Sequence, residues 1–414
     1  MVQTLKGIKV VDMTLAGAGP TAGRMLAEYG ADVILVEPVT GVNSRVWHGL
    51  DFYHGNKKSI ALNLKDPDGH QALMDLLKDA DVFLSSYRLK ALDKMGLDWE
   101  SLHQYNPKLI VANMSGYGDV GPRRDDPGYD VIGFWAMGGI LHTIQEKDGD
   151  LPVLPGGIGD TSAGRSLALG VINALYHQER TGEAIHVSTS LVAEGIFDNQ
   201  DAIIESQYGE QYPKTRKAPR HSLLNTYRCK DGWVILITLN FEKDFWNIMR
   251  ALSREDLVGD PRWTRFTDTD DAGAPAVVEI FDETFGKLTT QEAAANLAQY
   301  GIPCQKVLSV NEVLEDPQVL ANNYVFPHTQ FDGKKILMPA TPLQFGDSEP
   351  IENTGAPAIG ENSVEILHSL GYSDEKIQDM LARHVTVVLD TVFTAGMSAA
   401  DLDAMVASSG KETK

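Results

Sequence analysis

Asp160 lies in the segment Pro155-Gly156-Gly157-Ile158-Gly159-Asp160-Thr161-Ser162-Ala163-Gly164, behind a glycine run and ahead of a helical pattern of small residues. An aspartate at a helix start ordinarily acts as an N-cap, worth roughly 1 kcal/mol. The same carboxylate can also attack a thioester. That attack yields an acyl anhydride and a thiolate, dividing one difficult exchange into two easier steps. Neighbouring glycines would admit the substrate and offer N–H groups to a developing oxyanion, while the helix terminus would hold the carboxylate ionised. Local pattern leaves both the capping and the nucleophilic reading open.

A second glycine cluster, Gly17-Ala18-Gly19-Pro20-Thr21-Ala22-Gly23, joins a strand-like run at residues 8–13 to a helical pattern at 20–29, and Glu37 ends the next strand-like run. This imitates a dinucleotide fingerprint, which makes an NAD-dependent oxidoreductase the competing chemistry. Against it, the third glycine falls one place late, and Pro20 removes an N–H from the anion-binding turn. A tight strand-to-helix turn with proline in its first turn accounts for the cluster as well.

The formal charge of −21 opposes non-specific binding to nucleic acid, so an anionic ligand requires a local basic exception. Lys57 and Lys58, the Arg88/Lys90/Lys94 group and Arg123/Arg124 are the candidates, each of which also reads as a solvated face. Cys229 and Cys304 are too few for a disulfide framework and belong to no zinc pattern, so no metal is expected. The N-terminus enters a strand-like run without signal-peptide features, which favours the cytoplasm, and no apolar stretch is long enough for a membrane span.

Positioning these residues requires alternating elements. Strand-like runs at 8–13, 32–37, 59–63, 82–85, 109–113 and 185–189 alternate with helical patterns at 20–29, 67–80, near 99, at 160–180 and at 190–207. The alternation predicts a doubly wound, Rossmann-like α/β fold. Residues 208–219 read as a linker, followed by a hairpin about Cys229-Lys230-Asp231-Gly232 and helical patterns at 241–253, 276–284 and 290–300. The expected organisation is a large domain from 1–210 plus 325–414 and a small α+β domain at 225–320. After Arg383 the chain mixes a β-like run at 385–392 with an alanine-rich helix at 399–407.

The segments LKGIKVVDMTLAGAGPTAGRMLAEYGADVILVE, GNKKSIALNLKDPDG, ALDKMGLDWESL, NPKLIVANMSGYG, PGGIGDTSAG, YGIPC and IGENSVEILHSLGY run through nearly the whole chain. Together they resemble the class III (CaiB/BaiF, formyl-CoA transferase-like) CoA-transferases, to which the α-methylacyl-CoA racemases are related. The resemblance implies that Asp160 passes through an aspartyl anhydride and an aspartyl-CoA thioester. It implies that coenzyme A lies along Ala16 and Ala18, Leu62 and Lys65, and Tyr87, Arg88, Ala91 and Lys94, with Arg88 and Lys94 facing its phosphates. It also implies an interlocked homodimer, acyl-CoA and carboxylic acid as the partners, and no cofactor beyond the CoA thioester substrate.

Two departures bear on the reaction. The racemases carry a His-Asp pair where Pro127-Gly128-Tyr129-Asp130 stands, so Tyr129 replaces the proton-moving histidine and racemisation is disfavoured. Tyr129 then reads as an acyl-site residue whose hydroxyl meets a carboxylate, or as an aromatic packing residue. The glycine-run loop of the formyl-CoA transferases is absent between Tyr208 and Tyr227. The segments SYRLKALDKMGLD, GYGDVGPRRDDPGYD and SREDLVGDPRW are most similar to enzymes that act on 2-hydroxy acids, such as phenyllactate or 2-hydroxyisocaproate, in amino-acid fermentation. A non-catalytic CoA-binding relative is the remaining alternative.

Overall fold

Alternating apolar strands and small-residue helices build the larger of two compact units, which comprises residues 1–140, 154–203 and 322–414. The computed structural model describes residues 2–238, 240–270, 272–346 and 353–409, so residues 1, 347–352 and 410–414 of the expected large domain lie outside the described residues. Its elements begin β1 (Lys9–Met13), α1 (Ala18–Glu28), β2 (Asp32–Glu37), α2 (Leu50–His54), β3 (Lys58–Leu62), α3 (Pro67–Lys78) and β4 (Val82–Ser85). They continue with α4 (Leu89–Met95), α5 (Trp99–Tyr105), β5 (Ile110–Ser115), α7 (Ile158–Thr181), β6 (His186–Ser190) and α8 (Leu191–Asp198), while the short α6 (Ile140–Thr143) and α9 (Gln200–Gln207) fall across the sequence bounds of the two units.

The strands form one sheet in the order Thr386–Val387, β3, β2, β1, β4, β5, β6. All neighbours run parallel except Thr386–Val387, which is antiparallel to β3. Val10 of β1 pairs with Val33 on one side and Val82 on the other, so the strand order reverses between β1 and β4. In open α/β sheets that reversal leaves a crevice beyond the carboxyl ends of the strands. On one face Leu73, Leu76 and Leu77 of α3 pack with Val11, Ile60, Phe83 and Val111.

Close packing of α1 on α7 depends on small residues. All eleven residues of α1 are buried. A Cβ at Gly164 would lie 2.5 Å from the Ala18 carbonyl oxygen and 2.6 Å from Thr21 Cβ, so only glycine lets the two backbones come this near.

Two ion pairs are sealed beneath the sheet ends. Arg45 binds Glu37 at 2.6 Å, and Lys57 donates to Asp12 at 2.8 Å and to the Pro20 carbonyl at 3.0 Å. Lys57 is thereby removed from the candidates for anion binding; its pKa is lowered, chiefly by burial. Lys58 lies near Asp32 and Glu365.

Two expected elements differ. The helix predicted at 190–207 is divided into α8 and α9 at Asn199, whose side chain donates to the Gly138 carbonyl at 3.2 Å. Of the β-like run at 385–392, only Thr386 and Val387 pair in the sheet. Leu389 N–H instead bonds the Ile359 carbonyl at 2.9 Å.

The smaller unit contains residues 141–153 and 204–321. Strands β7 (Leu224–Arg228), β8 (Trp233–Ile237) and β9 (Cys304–Lys306) form an antiparallel sheet. Helices α10 (Phe241–Ala251), α11 (Ala274–Phe285) and α12 (Thr290–Ala298) accompany it, with Tyr227, Phe245, Trp263, Phe281 and Phe285 in the core. Burial pushes the thiols of Cys229 and Cys304 up to about 11, and neither is in a disulfide. Among the described residues no helix is long and apolar enough to cross a membrane.

Candidate active site

The crevice between β1 and β4 holds a cavity of about 380 Å³. Leu15, Ala16 and Ala18 enter it from the turn after β1, and Ser86, Tyr87, Arg88 and Ala91 from the turn after β4. Ser115 and Gly116 close the β5 side, while Arg124, Asp126 and Tyr129 come from the following loop and Asp160 from α7. Seven residues expected at the site from sequence thus share one cavity: Asp160, Ala16, Ala18, Tyr87, Arg88, Ala91 and Tyr129.

Leu62, Lys65 and Lys94 are not in that cavity. The Leu62 side chain is committed to the core beside α3, Lys65 is exposed in the turn after β3, and Lys94 is exposed on the last turn of α4.

The β1 turn is held in a costly shape. Ala16 has φ of 61°, a left-handed conformation that a residue with a Cβ adopts only when its surroundings enforce it. Its N–H donates to Asn43 Oδ1 at 3.0 Å, and the Leu15 N–H donates to Ser86 Oγ at 2.7 Å. The second bond ties the β1 turn to the β4 turn across the point where strand order reverses. Neither Asn43 nor Ser86, although Ser86 opens the segment SYRLKALDKMGLD, was expected at the site, because their bonds are made to partners 27 and 71 positions away.

Asp160 occupies the third position of α7, whose N-cap is Gly157 with φ of 84°. The capping expectation is therefore corrected: no side chain caps this helix end. A Cβ at position 17 would stand 2.4 Å from Asp160 Oδ2, so the carboxylate rests against Gly17, immediately before α1. The role expected of the other glycines also changes. A Cβ at Gly159 would meet the Phe134 ring and Asp130 Oδ1 at 2.3 Å, so this glycine serves packing, whereas open space surrounds Gly156.

Burial, followed by the nearby Asp130 charge, pushes the Asp160 carboxyl from 3.8 up to about 7. A helix start favours the ionised form, but here desolvation outweighs it, reversing the expected fully ionised group. Asp130 is 7% exposed; its Oδ2 accepts the Gly157 N–H at 2.8 Å, and its Oδ1 has no hydrogen-bond partner. Tyr53 is also close, with its hydroxyl 3.3 Å from the site a Gly157 Cβ would occupy. Its pKa is raised by burial and then by Asp160 and Asp130. Asp130 was visible beside Tyr129, but Tyr53 was not, since α2 is a short helix without a periodic pattern.

The geometry counts against both competing reactions. Glu37, where a ribose-binding acid would stand, is 1% exposed and bound by Arg45 and Ser59. Gly23 abuts the buried Asp12–Lys57 pair and faces no open phosphate site. Among the described residues lining the cavity there is no histidine to move an α-proton.

Residues 5–363 match CoA-transferase family III. The chain belongs to this family. The (R)-2-hydroxy-4-methylpentanoate CoA-transferase of Clostridioides difficile is 33% identical over 91% of this chain and 97% of its own length. The cinnamoyl-CoA:phenyllactate CoA-transferase of Clostridium sporogenes is 33% identical over 90% and 95%. Among solved structures, a CAIB/BAIF family protein from Brucella suis superposes with a TM-score of 0.76 and 27% identity, covering 89% of this chain and all of the other. As a family III CoA-transferase, the protein is an enzyme whose substrates are CoA thioesters and carboxylates.

Proposed function

We propose that the enzyme moves CoA from an acyl-CoA to a free 2-hydroxy acid through covalent intermediates on Asp160. The observation that carries this reading is the position of Asp160: a carboxyl raised to about 7, in the crevice wall and beside the start of α1. A carboxylate with elevated pKa is a better nucleophile when ionised, and near pH 7 a substantial fraction is ionised.

In the cycle, an Asp160 carboxylate oxygen attacks the thioester carbon, and the C–S bond breaks to release CoA thiolate and form a mixed anhydride. The thiolate then attacks the Asp160 carbonyl, expelling the first acid and leaving an aspartyl-CoA thioester. The second acid attacks that thioester through a carboxylate oxygen, expelling thiolate and forming a new anhydride. Thiolate attack on the acyl carbonyl delivers the new acyl-CoA and restores Asp160. No net proton or electron is consumed. The N–H groups of Ala18 and Gly19, which a helix start leaves without intrahelical partners, supply donors for the oxyanions.

Tyr129, 57% exposed and in the cavity wall, faces the acyl group in this reading. CoA is longer than the cavity, so its nucleotide end continues past Arg88 toward Lys94 and Lys65, with Leu62 offering only main chain. The 2-hydroxy acid follows from the two relatives, whose substrates share that group. The reaction belongs to amino-acid fermentation in the cytoplasm. The enzyme works as a homodimer, supported by exposed apolar residues on neighbouring helices: Ile158, Leu169 and Tyr176 of α7 and Ile196 and Phe197 of α8.

Incubation with cinnamoyl-CoA, followed by hydroxylamine and peptide mass mapping, tests the proposal. A hydroxamate at Asp160 is expected, together with loss of exchange in a folded D160A variant. Normal turnover by D160A would refute the mechanism.

A further inference from the structure

Residues 116–128 form a loop whose ends meet backbone to backbone in the cavity wall. A Cβ at Gly116 would fall 2.7 Å from Gly128 Cα, and one at Gly128 would fall 2.5 Å from Gly116 Cα. The loop carries two adjacent arginines in different states. Arg123 is fixed: it stacks on Tyr117 at 4.1 Å, donates to the Tyr117 hydroxyl at 3.0 Å and pairs with Asp126 at 3.0 Å.

Arg124 lines the cavity, and among the described residues its side chain has only a loose ion contact, 3.7 Å from Asp125, with both side chains about two-fifths exposed. Asp125 is itself engaged, accepting the Lys90 N–H at 3.1 Å and so anchoring the loop to α4. The guanidinium is therefore carried on a braced loop but keeps donors for a ligand.

Charge balance indicates which ligand. Asp126 lines the cavity but is paired with Arg123, whereas Asp160 in the wall and Asp130 behind it have no cation partner among the described residues, so their charge repels an anion. A thioester brings no charge to the reacting carbon, whereas a free acid arrives as a carboxylate and requires a cation. Among the described residues the cavity wall has two, Arg88 and Arg124. Arg88 begins α4 beside Tyr87 and Ala91, on the side read as the CoA surface. Arg124 shares its loop with Asp126 and precedes Tyr129, on the acyl side.

We infer that Arg124 receives the carboxylate of the free acid. This rests on the transfer reaction proposed above. Its guanidinium forms charge-assisted hydrogen bonds to the incoming acid and offsets the repulsion of Asp160 and Asp130. The thioester makes no such demand.

Steady-state kinetics with cinnamoyl-CoA and phenyllactate tests the assignment. In R124Q, kcat/KM for phenyllactate should fall about 10- to 100-fold, with kcat/KM for cinnamoyl-CoA changed by less than about threefold. R124K, which keeps charge but lacks the planar fork, should fall between wild type and R124Q. R88Q should show the opposite pattern, with the loss on cinnamoyl-CoA. An R124Q variant that melts like wild type and retains its phenyllactate kcat/KM, or loses only cinnamoyl-CoA, overturns the inference. A wild-type enzyme that exchanges no CoA contradicts the proposed function itself.

Discussion

Asp160 and Asp130, 30 positions apart, are set apart by their surroundings. Asp130 is fixed by the Gly157 N–H, and its charge, added to burial, disfavours ionisation of Asp160. The proposed cycle needs the Asp160 anion, so the rate should rise with pH through about 7 and fall below it. D130N keeps an oxygen for the Gly157 N–H but removes the charge. The midpoint of the pH–rate profile should then move to lower pH; an unchanged or higher midpoint would show that Asp130 does not tune the nucleophile. Glycine and small-residue neighbours marked Asp160 as a carboxylate at a helix start, with capping and attack both open, and only the family resemblance singled it out as nucleophile. Its raised pKa was not legible, because burial and a carboxylate 30 positions earlier in the chain leave no local pattern.

Helix α1 reaches α7 only because Gly164 and Gly17 carry no side chain. The first spares the Ala18 carbonyl, and the second leaves room for Asp160 Oδ2. G17A should fold, because the collision is with one side chain, but it should displace the carboxylate and lower kcat about 100-fold. Retained kcat with an unchanged melting temperature would refute the close contact. Period and turn residues made most of the sheet readable: β2 and β4 fall at residues 32–37 and 82–85, as their sequence patterns predict. The division between α8 and α9 was hidden, because Asn199 suits a continuous helix until its long-range bond to Gly138 is known. The β-like run after Arg383 misled for the opposite reason: Val385, Val387 and Leu389 are buried, but of the run only Thr386 and Val387 have strand partners.

Across the whole molecule, the buried Arg45–Glu37 and Lys57–Asp12 pairs secure the ends of strands whose turns form the crevice. Sequence displayed these four residues as charges but could not pair them, so Glu37 resembled a ribose ligand and Lys57 an anion site. The apolar side chains left exposed on α7 and α8, with Phe197 74% exposed, point to a covered face. Light scattering should give twice the chain mass of 45.3 kDa, whereas a monomer at working concentrations would contradict the proposed homodimer. In the proposed cycle the acid and the enzyme exchange an oxygen atom through Asp160. A single turnover with an acid labelled with heavy oxygen in its carboxylate should leave one labelled oxygen in the Asp160 side chain, detected by peptide mass spectrometry. Sustained CoA exchange with no label in Asp160 would contradict the account.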